Sequence, residues 1–351
     1  MKLVRPFTVT EAALTASNVV ETAPAAYNAG TTYATGATVS VATGTAIAVY
    51  RSLQNANTGN APASSPSWWK LTGNTYALYN AGTTYADGDI VISATTHRTY
   101  ESLQNSNLNR DPTLAANSAW WTDIGPTNRW SMFDGSVTSQ TSNPESIEVT
   151  IQTTGRIDSL ALLNVDAAEV TVTMTDSVEG QVFNETFSLV SPSGIIDWYA
   201  YFFEPIERLA DLYIGDMPPY AGAEIEVLLD GAGSTARCGG LVLGLSKQIG
   251  ETVYGSGVGI IDYSRKTVDT FGNFAVVERA FSKRANFTVN VPIGLTDQVQ
   301  VLLSRYRAEP IVYVGSDRFG ATLVYGFYKD FNVEIENPSY SVCNLQIEGL
   351  T

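Results

Sequence analysis

The reactive groups of this 351-residue chain are unevenly stocked: 35 carboxylates, one histidine (His97) and two cysteines (Cys238 and Cys343). Glycoside hydrolysis needs two carboxyls about 5–10 Å apart across a cleft, and no motif singles out such a pair. A lone histidine leaves little room for an imidazole-based metal site or a Ser-His-Asp triad. Its position near a predicted strand start favours a structural role. The segment GSGVG (Gly255–Gly259) lacks the spacing and strand–helix context of a dinucleotide fingerprint, and SDRFG and GLS carry no nucleophile-elbow pattern. Two thiols so far apart in sequence read as buried small hydrophobes rather than a disulfide. The expectation is a protein that is not an enzyme.

The charge is unevenly placed. Residues 1–126 hold 7 acids and 6 bases, residues 127–250 hold 17 and 5, and residues 251–351 hold 11 and 9, for a net charge of −15. An acidic surface repels phosphate, so nucleic acid is not an expected partner. No apolar run reaches the roughly 18–20 residues of a membrane helix, no basic amphipathic helix argues for a membrane surface, and MKLVRPFTVTEAAL does not read as a signal peptide. The low-charge, Thr-, Gly-, Tyr- and Val-rich composition predicts a mainly β protein.

The elements that carry the aromatic residues are duplicated. YNAGTTYATGA (Tyr27–Ala37) returns as YNAGTTYADGD (Tyr79–Asp89) at an offset of 52, YRSLQNANTGNAP (Tyr50–Pro62) as YESLQNSNLNRDP (Tyr100–Pro112) at 50, and Trp68-Trp69 as Trp120-Trp121 at 52. Fixed-period similarity marks duplicated modules. Each copy shows two strand signals, ATVSVAT and AIAVYRSL in the first, DIVISATT and HRTYESL in the second, with Gly36 and Gly88 as turns before a strand. A unit this small buries little surface, so its aromatics must supply most of its core.

The order Tyr-x5-Tyr-x2-Gly-Asp-x-Val, then Tyr, Pro and Trp-x3-Gly (Tyr79, Tyr85, Gly88-Asp89, Val91, Tyr100, Pro112, Trp121 and Gly125) resembles the carbohydrate-binding modules of families 5 and 12. That resemblance implies short twisted β modules that stack aromatic rings on sugar faces. It makes Tyr27, Tyr33, Tyr50, Trp68 and Trp69, with Tyr79, Tyr85, Tyr100, Trp120 and Trp121, the candidate carbohydrate-binding residues. This sequence departs from the family where exposed tryptophans commonly follow the third segment's tyrosine: those positions read Ser52-Leu53-Gln54-Asn55 and Ser102-Leu103-Gln104-Asn105. The double Trp of each copy either divides into one core and one exposed ring, or packs entirely as core.

Residues 127–250, with Phe133-Asp134-Gly135, SIEVTI, IDSLALLNV and EVTVTMT, resemble a galactose-binding-like jelly roll whose return strands are RLADLYIG, AEIEVLLD and CGGLVLG. Such sandwiches often hold calcium. Asp134, Asp158, Asp166, Asp176 and Glu179 sit near predicted turns, and they form either a Ca²⁺ site or a solvated acidic face. No other cofactor is expected. Residues 251–351 read as a β domain with one helix, TDQVQVLLSRYR, with Thr296 as N-cap, Asp297 in its first turn and Val299, Leu302, Leu303 and Tyr306 on one face.

The predicted organisation is an N-terminal arm (1–25), two modules (26–75 and 76–126), a β-sandwich (127–250) and a C-terminal β domain with one helix (251–351). This order of elements resembles tailed-bacteriophage virion proteins. It implies a structural component of the tail, assembled in the host cytoplasm, that contacts other tail proteins and itself as a homo-oligomer. The arm would dock on a neighbour by strand addition, and the modules would face outward toward host polysaccharide. The alternative is a free carbohydrate-binding protein with no virion role.

Overall fold

The computed structural model describes residues 1–190, 197–203, 207–268 and 270–350. Strands hold 52% of the residues and helical turns 9%, so the chain is mainly β as its composition predicts. In chain order the strands of the first half are β1 (Lys2–Pro6), β2 (Leu14–Ser17), β3 (Thr38–Thr43), β4 (Ala46–Ser52), β5 (Trp69–Thr75), β6 (Ala77–Leu78), β7 (Thr84–Tyr85), β8 (Ile90–Ser93), β9 (Arg98–Ser102), β10 (Asn107–Leu108) and β11 (Trp121–Pro126). There follow β12 (Thr141–Gln152), β13 (Ser159–Asp166), β14 (Glu169–Asp176), β15 (Gly180–Ser188), the short helix α1 (Trp198–Phe203), β16 (Leu212–Ile214) and β17 (Glu224–Gln248). The last part comprises β18 (Glu251–Thr252), β19 (Gly257–Asp262), β20 (Arg265–Val268), β21 (Phe274–Val277), β22 (Phe281–Pro292), helix α2 (Thr296–Arg305), β23 (Ile311–Val314), β24 (Leu323–Glu334) and β25 (Tyr340–Gly349).

β17 organises the body. Its first half lies between β12 and β14, and its second half pairs with β13 and then β1. Between the halves, residues 231–234 stand opposite Glu145 alone, and Ala232 and Gly233 adopt left-handed φ values of 51° and 84°. A bulge with left-handed residues lets one strand turn the corner between two sheets without losing its partners. For that reason the separately predicted strands AEIEVLLD and CGGLVLG form one 25-residue strand. Inward residues alternate along the two layers: Ile147, Val149 and Ile151 on β12, Val170, Val172 and Met174 on β14, and Ile225, Val227 and Leu229 on β17 pack with Leu160, Leu162, Leu241 and Leu243. Cys238 lies in this core, and burial pushes its thiol up to about 12. Cys343 is buried in the C-terminal core, so both cysteines are free thiols that behave as apolar filler.

The expected N-terminal arm docks within its own chain. β1 lies between β17 and β23, with Leu3 and Val4 each at 0% exposure in cores on opposite faces of the sheet. Two consecutive apolar residues buried on both faces mark an interior strand, not an added edge. β1 thereby joins the sandwich to the C-terminal half in one sheet of fourteen strands, ordered β15-β14-β17-β1-β23-β24-β25-β22-β18 along its main path. Gly244 is required at this junction: a Cβ there would lie 2.3 Å from the carbonyl oxygen of Arg5 on β1. Arg5 also forks onto the Glu309 carboxylate through Nε and Nη2 at 2.7 and 2.8 Å.

α2 packs Val299, Leu303 and Tyr306 on this C-terminal core, as its periodicity predicts. The predicted cap differs. A turn of 3-10 helix (Ile293–Leu295) leads directly into the helix, so Leu295 occupies the cap and the Thr296 hydroxyl instead meets Ser341 Oγ at 2.9 Å.

Candidate carbohydrate-binding modules and their anchor

Residues 18–126 are an insertion between β2 and β12, two strands that pair with each other. The segment that leaves and the segment that returns meet at one carboxylate. Glu21, with a side chain 8% exposed, accepts hydrogen bonds from Thr127 Oγ1 (2.9 Å) and Trp130 Nε1 (3.2 Å). It faces His97 Nδ1 at 3.0 Å and Arg129 Nη1 at 3.6 Å. His97 stacks on Trp130 with ring centroids 4.2 Å apart, and its φ of 54° turns the chain between β8 and β9. The Thr75 hydroxyl, at the end of module 1, donates to the Glu21 carbonyl. Thus both modules and the sandwich converge on Glu21. The histidine has the structural role its sequence context predicts.

The modules repeat each other in space as they do in sequence. In module 1, β3, β4 and β5 form an antiparallel sheet; in module 2, β8, β9 and β11 do the same, joined by β6 in parallel. Tyr27 and Tyr33 stack at 5.9 Å with Trp69 edge-on to both, and Tyr79, Tyr85 and Trp121 repeat the arrangement with the paired tyrosines at 6.0 Å. The indole N–H of Trp69 donates to the Asn60 carbonyl and that of Trp121 to the Arg110 carbonyl, both at 2.8 Å. A buried amide holds each turn: Asn57 Nδ2 donates to Ser52 Oγ, and Asn107 Nδ2 to Ser102 Oγ, both at 3.0 Å.

The ten candidate aromatics therefore divide by burial. Trp69, Tyr85, Tyr100 and Trp121 are core, between 3% and 7% exposed, and their faces are occupied by protein. Tyr27, Tyr33, Tyr50, Trp68, Tyr79 and Trp120 are half-buried. Of each double Trp, one ring is core and the other reaches the surface. Only the half-buried outer rings, Trp68 and Trp120 among them, present part of a face to solvent.

The two outer rings differ. Arg110 lies over Trp120 with its guanidinium carbon 3.5 Å from the ring centroid, whereas the matching residue in module 1 is Asn60. Among the described residues no cation covers Trp68. The exchange also alters the turn beneath. Asn60 Nδ2 donates to Asn57 Oδ1 at 2.9 Å, but in module 2 Asn107 Oδ1 is buried without a partner, as is Arg110 Nε. An orphaned buried acceptor costs about 1–3 kcal/mol. Arg110→Asn is therefore expected to raise the urea midpoint of module 2 by an amount equivalent to about 1 kcal/mol and to uncover Trp120. An unchanged or lower midpoint would show that the guanidinium–indole stack outweighs the lost amide bond.

The acids considered for calcium are used singly. Asp134 accepts from Ser136 N and Ser139 Oγ, Asp158 from Ser159 Oγ and from Ser246 N and Oγ, Asp166 pairs with Arg208, and Asp176 accepts from the amides of Val178 and Glu179. Glu179 sits in that last turn. Among the described residues no group of three or more His, Cys, Asp or Glu side chains converges on a point where a metal could sit. A cleft of about 810 Å³ opens between residues 1–2, 250–258 and 314–322, and its Lys2 is paired with Asp317 at 3.2 Å. No helix among the described residues is long and apolar enough to cross a membrane.

No protein-family model matches the chain, and no curated protein matches it. Among solved structures it is similar to a GH2 β-galacturonidase from Eisenbergiella tayi, at 9% identity and a TM-score of 0.18, over 78% of this chain and 36% of that one. The chain thus spans about a third of that enzyme's length.

Proposed function

We propose that this chain is a structural, non-enzymatic component of a bacteriophage tail, an adaptor or decoration whose tandem modules face outward and hold host surface polysaccharide. One observation carries the binding part of this reading: a duplicated, aromatic-centred module is branched from the body as a single insertion anchored at Glu21, with a half-buried outer indole, Trp68, that no cation covers among the described residues. An indole face suits the apolar face of a pyranose ring. Weak single contacts gain strength when two modules, and several copies of the chain, engage one polymer. The virion setting is supported by the order of elements, with family 5/12-like modules leading into a galactose-binding-like sandwich and a small β domain with one helix.

The test is affinity electrophoresis of the full chain through gels holding bacterial cell-surface polysaccharides. Retardation by at least one polymer is expected. Trp68→Ala should weaken it about 10- to 30-fold, the scale of losing one aromatic anchor of about 2 kcal/mol. Absence of retardation on every polymer would remove the binding role. Gold-labelled antibody to residues 26–126 on purified particles addresses the setting: label at the tail is expected, and retardation without label on any particle would favour a free carbohydrate-binding protein.

A further inference from the structure

Trp68 and Trp120 occupy matching positions, but what lies on them differs in chemistry. Arg110 seats its guanidinium on Trp120, while Asn60 holds that position in module 1. Arg110 is half-buried. Among the described residues its side chain enters no ion pair and donates no hydrogen bond, and its Nε is buried without an acceptor. A cation drawn out of water without a partner is costly. Seating it on an indole offsets part of that cost by cation–π attraction. The stack also fixes the plane of the guanidinium, and the N–H groups along its edge stay unused.

The surrounding loop does not neutralise this cation. Asp111, its chain neighbour, spends Oδ1 on its own turn, accepting from the Thr113 amide at 2.9 Å and the Thr113 hydroxyl at 2.7 Å. The other arginine of module 2, Arg98, is paired with Asp123. Nor is Arg110 placed for stability. Asn60 closes the equivalent loop on Asn57 Oδ1, whereas Arg110 leaves the acceptor of Asn107, a residue at 0% exposure, without a partner. An unpaired guanidinium held in a fixed plane is suited to grip a planar oxyanion with two parallel hydrogen bonds. The same placement withholds one face of Trp120 from a neutral sugar ring.

We propose that the two modules take different sugar units: module 2 holds an acidic unit, bearing a carboxylate or a sulfate, through the Arg110 guanidinium seated on Trp120, and module 1 holds a neutral unit on Trp68. The inference rests on the polysaccharide-binding reading and names the polymer class, one whose chain carries acidic units. Residues 76–126 hold five acids and two arginines, so the long-range field of module 2 does not draw a polyanion in. Recognition comes from the fork itself, and removing that one side chain is decisive.

Electrophoresis of the full chain through gels holding alginate (a uronate polymer), dextran sulfate or neutral polysaccharides tests it. Retardation by at least one of the two acidic polymers is expected, alginate alone identifying the carboxylate as the group gripped and dextran sulfate alone the sulfate. Arg110→Asn should weaken that retardation about 10-fold or more, the scale of losing hydrogen bonds to a charged group. Arg110→Lys keeps the charge without the fork and should restore only part of it. Arg98→Gln removes the same charge from module 2 and should leave it unchanged. Circular dichroism of each variant checks that the modules stay folded. No retardation by either acidic polymer would overturn the proposal. So would equal retardation of wild type and Arg110→Asn, or an equal loss in Arg98→Gln. The polysaccharide-binding reading fails separately, only if no polymer of either kind retards the chain. Retardation by a neutral polymer that depends on Trp68, with none by an acidic one, would overturn this inference and leave that reading standing.

Discussion

Glu21→Ala is expected to lower the stability of the chain by about 3–5 kcal/mol, the cost of removing one partner from a buried charged cluster. The carboxylate is 8% exposed and is shared by Thr127, Trp130, His97 and Arg129, which come from the returning segment and from module 2. Its loss leaves the Trp130 N–H and the Thr127 hydroxyl without an acceptor, and leaves the Arg129 cation without its counter-charge. Glu21→Gln keeps one carbonyl acceptor and the side-chain shape, so it should cost roughly half as much. The readouts are the urea midpoint and the rate of limited proteolysis. Cleavage near residues 18–26 and 126–130 should accelerate, because these two strands of chain lose their common tie, while the sandwich core stays resistant. A change below about 1 kcal/mol would mean that packing of Trp130 on His97, rather than the carboxylate, holds the base of the insertion.

What was legible beforehand follows from the range of the interactions involved. The modules were legible because duplication reports local structure twice: the segments predicted as strands, ATVSVAT, AIAVYRSL, DIVISATT and HRTYESL, contain β3, β4, β8 and β9, and Gly36 and Gly88 adopt φ values of 86° and 84° in the turns that precede them. α2 was legible because its apolar stripe is periodic. β1 was not, because Leu3 and Val4 show no alternation when both faces of a strand are buried, and a short apolar run at a chain end reads equally as an arm. The Glu21 cluster was invisible for a different reason. Its partners lie 76 to 109 residues away, and no spacing rule links a glutamate to a histidine and a tryptophan across a duplicated insertion. The Asn60/Arg110 difference was present in the aligned copies, but only geometry shows that it orphans Asn107 Oδ1 and caps Trp120.

Trp121→Ala is expected to unfold module 2 rather than to report on binding. The ring is 3% exposed, meets Tyr79 and Tyr85 edge-on, and donates to the Arg110 carbonyl that shapes the loop. Truncating a buried tryptophan costs about 3–5 kcal/mol, and a unit of about fifty residues has a net stability of comparable size. The module should therefore melt as a block while the fourteen-stranded sheet remains, giving two unfolding transitions by circular dichroism where the wild type is expected to give one. Amide protons of β8, β9 and β11 should lose their exchange protection selectively. Trp69→Ala should do the same to module 1. Trp68→Ala removes a half-buried rather than a core ring, so its cost should stay at about 1 kcal/mol while any retention on polysaccharide falls. If instead Trp121→Ala left exchange protection in module 2 intact, the ring would not be the centre of the module's core, and the assignment of stacking to the outer rings would lose its basis. The contrast between neighbouring tryptophans is thus the discriminating comparison: the inner one measures whether the module is folded, and the outer one whether the folded module holds a sugar.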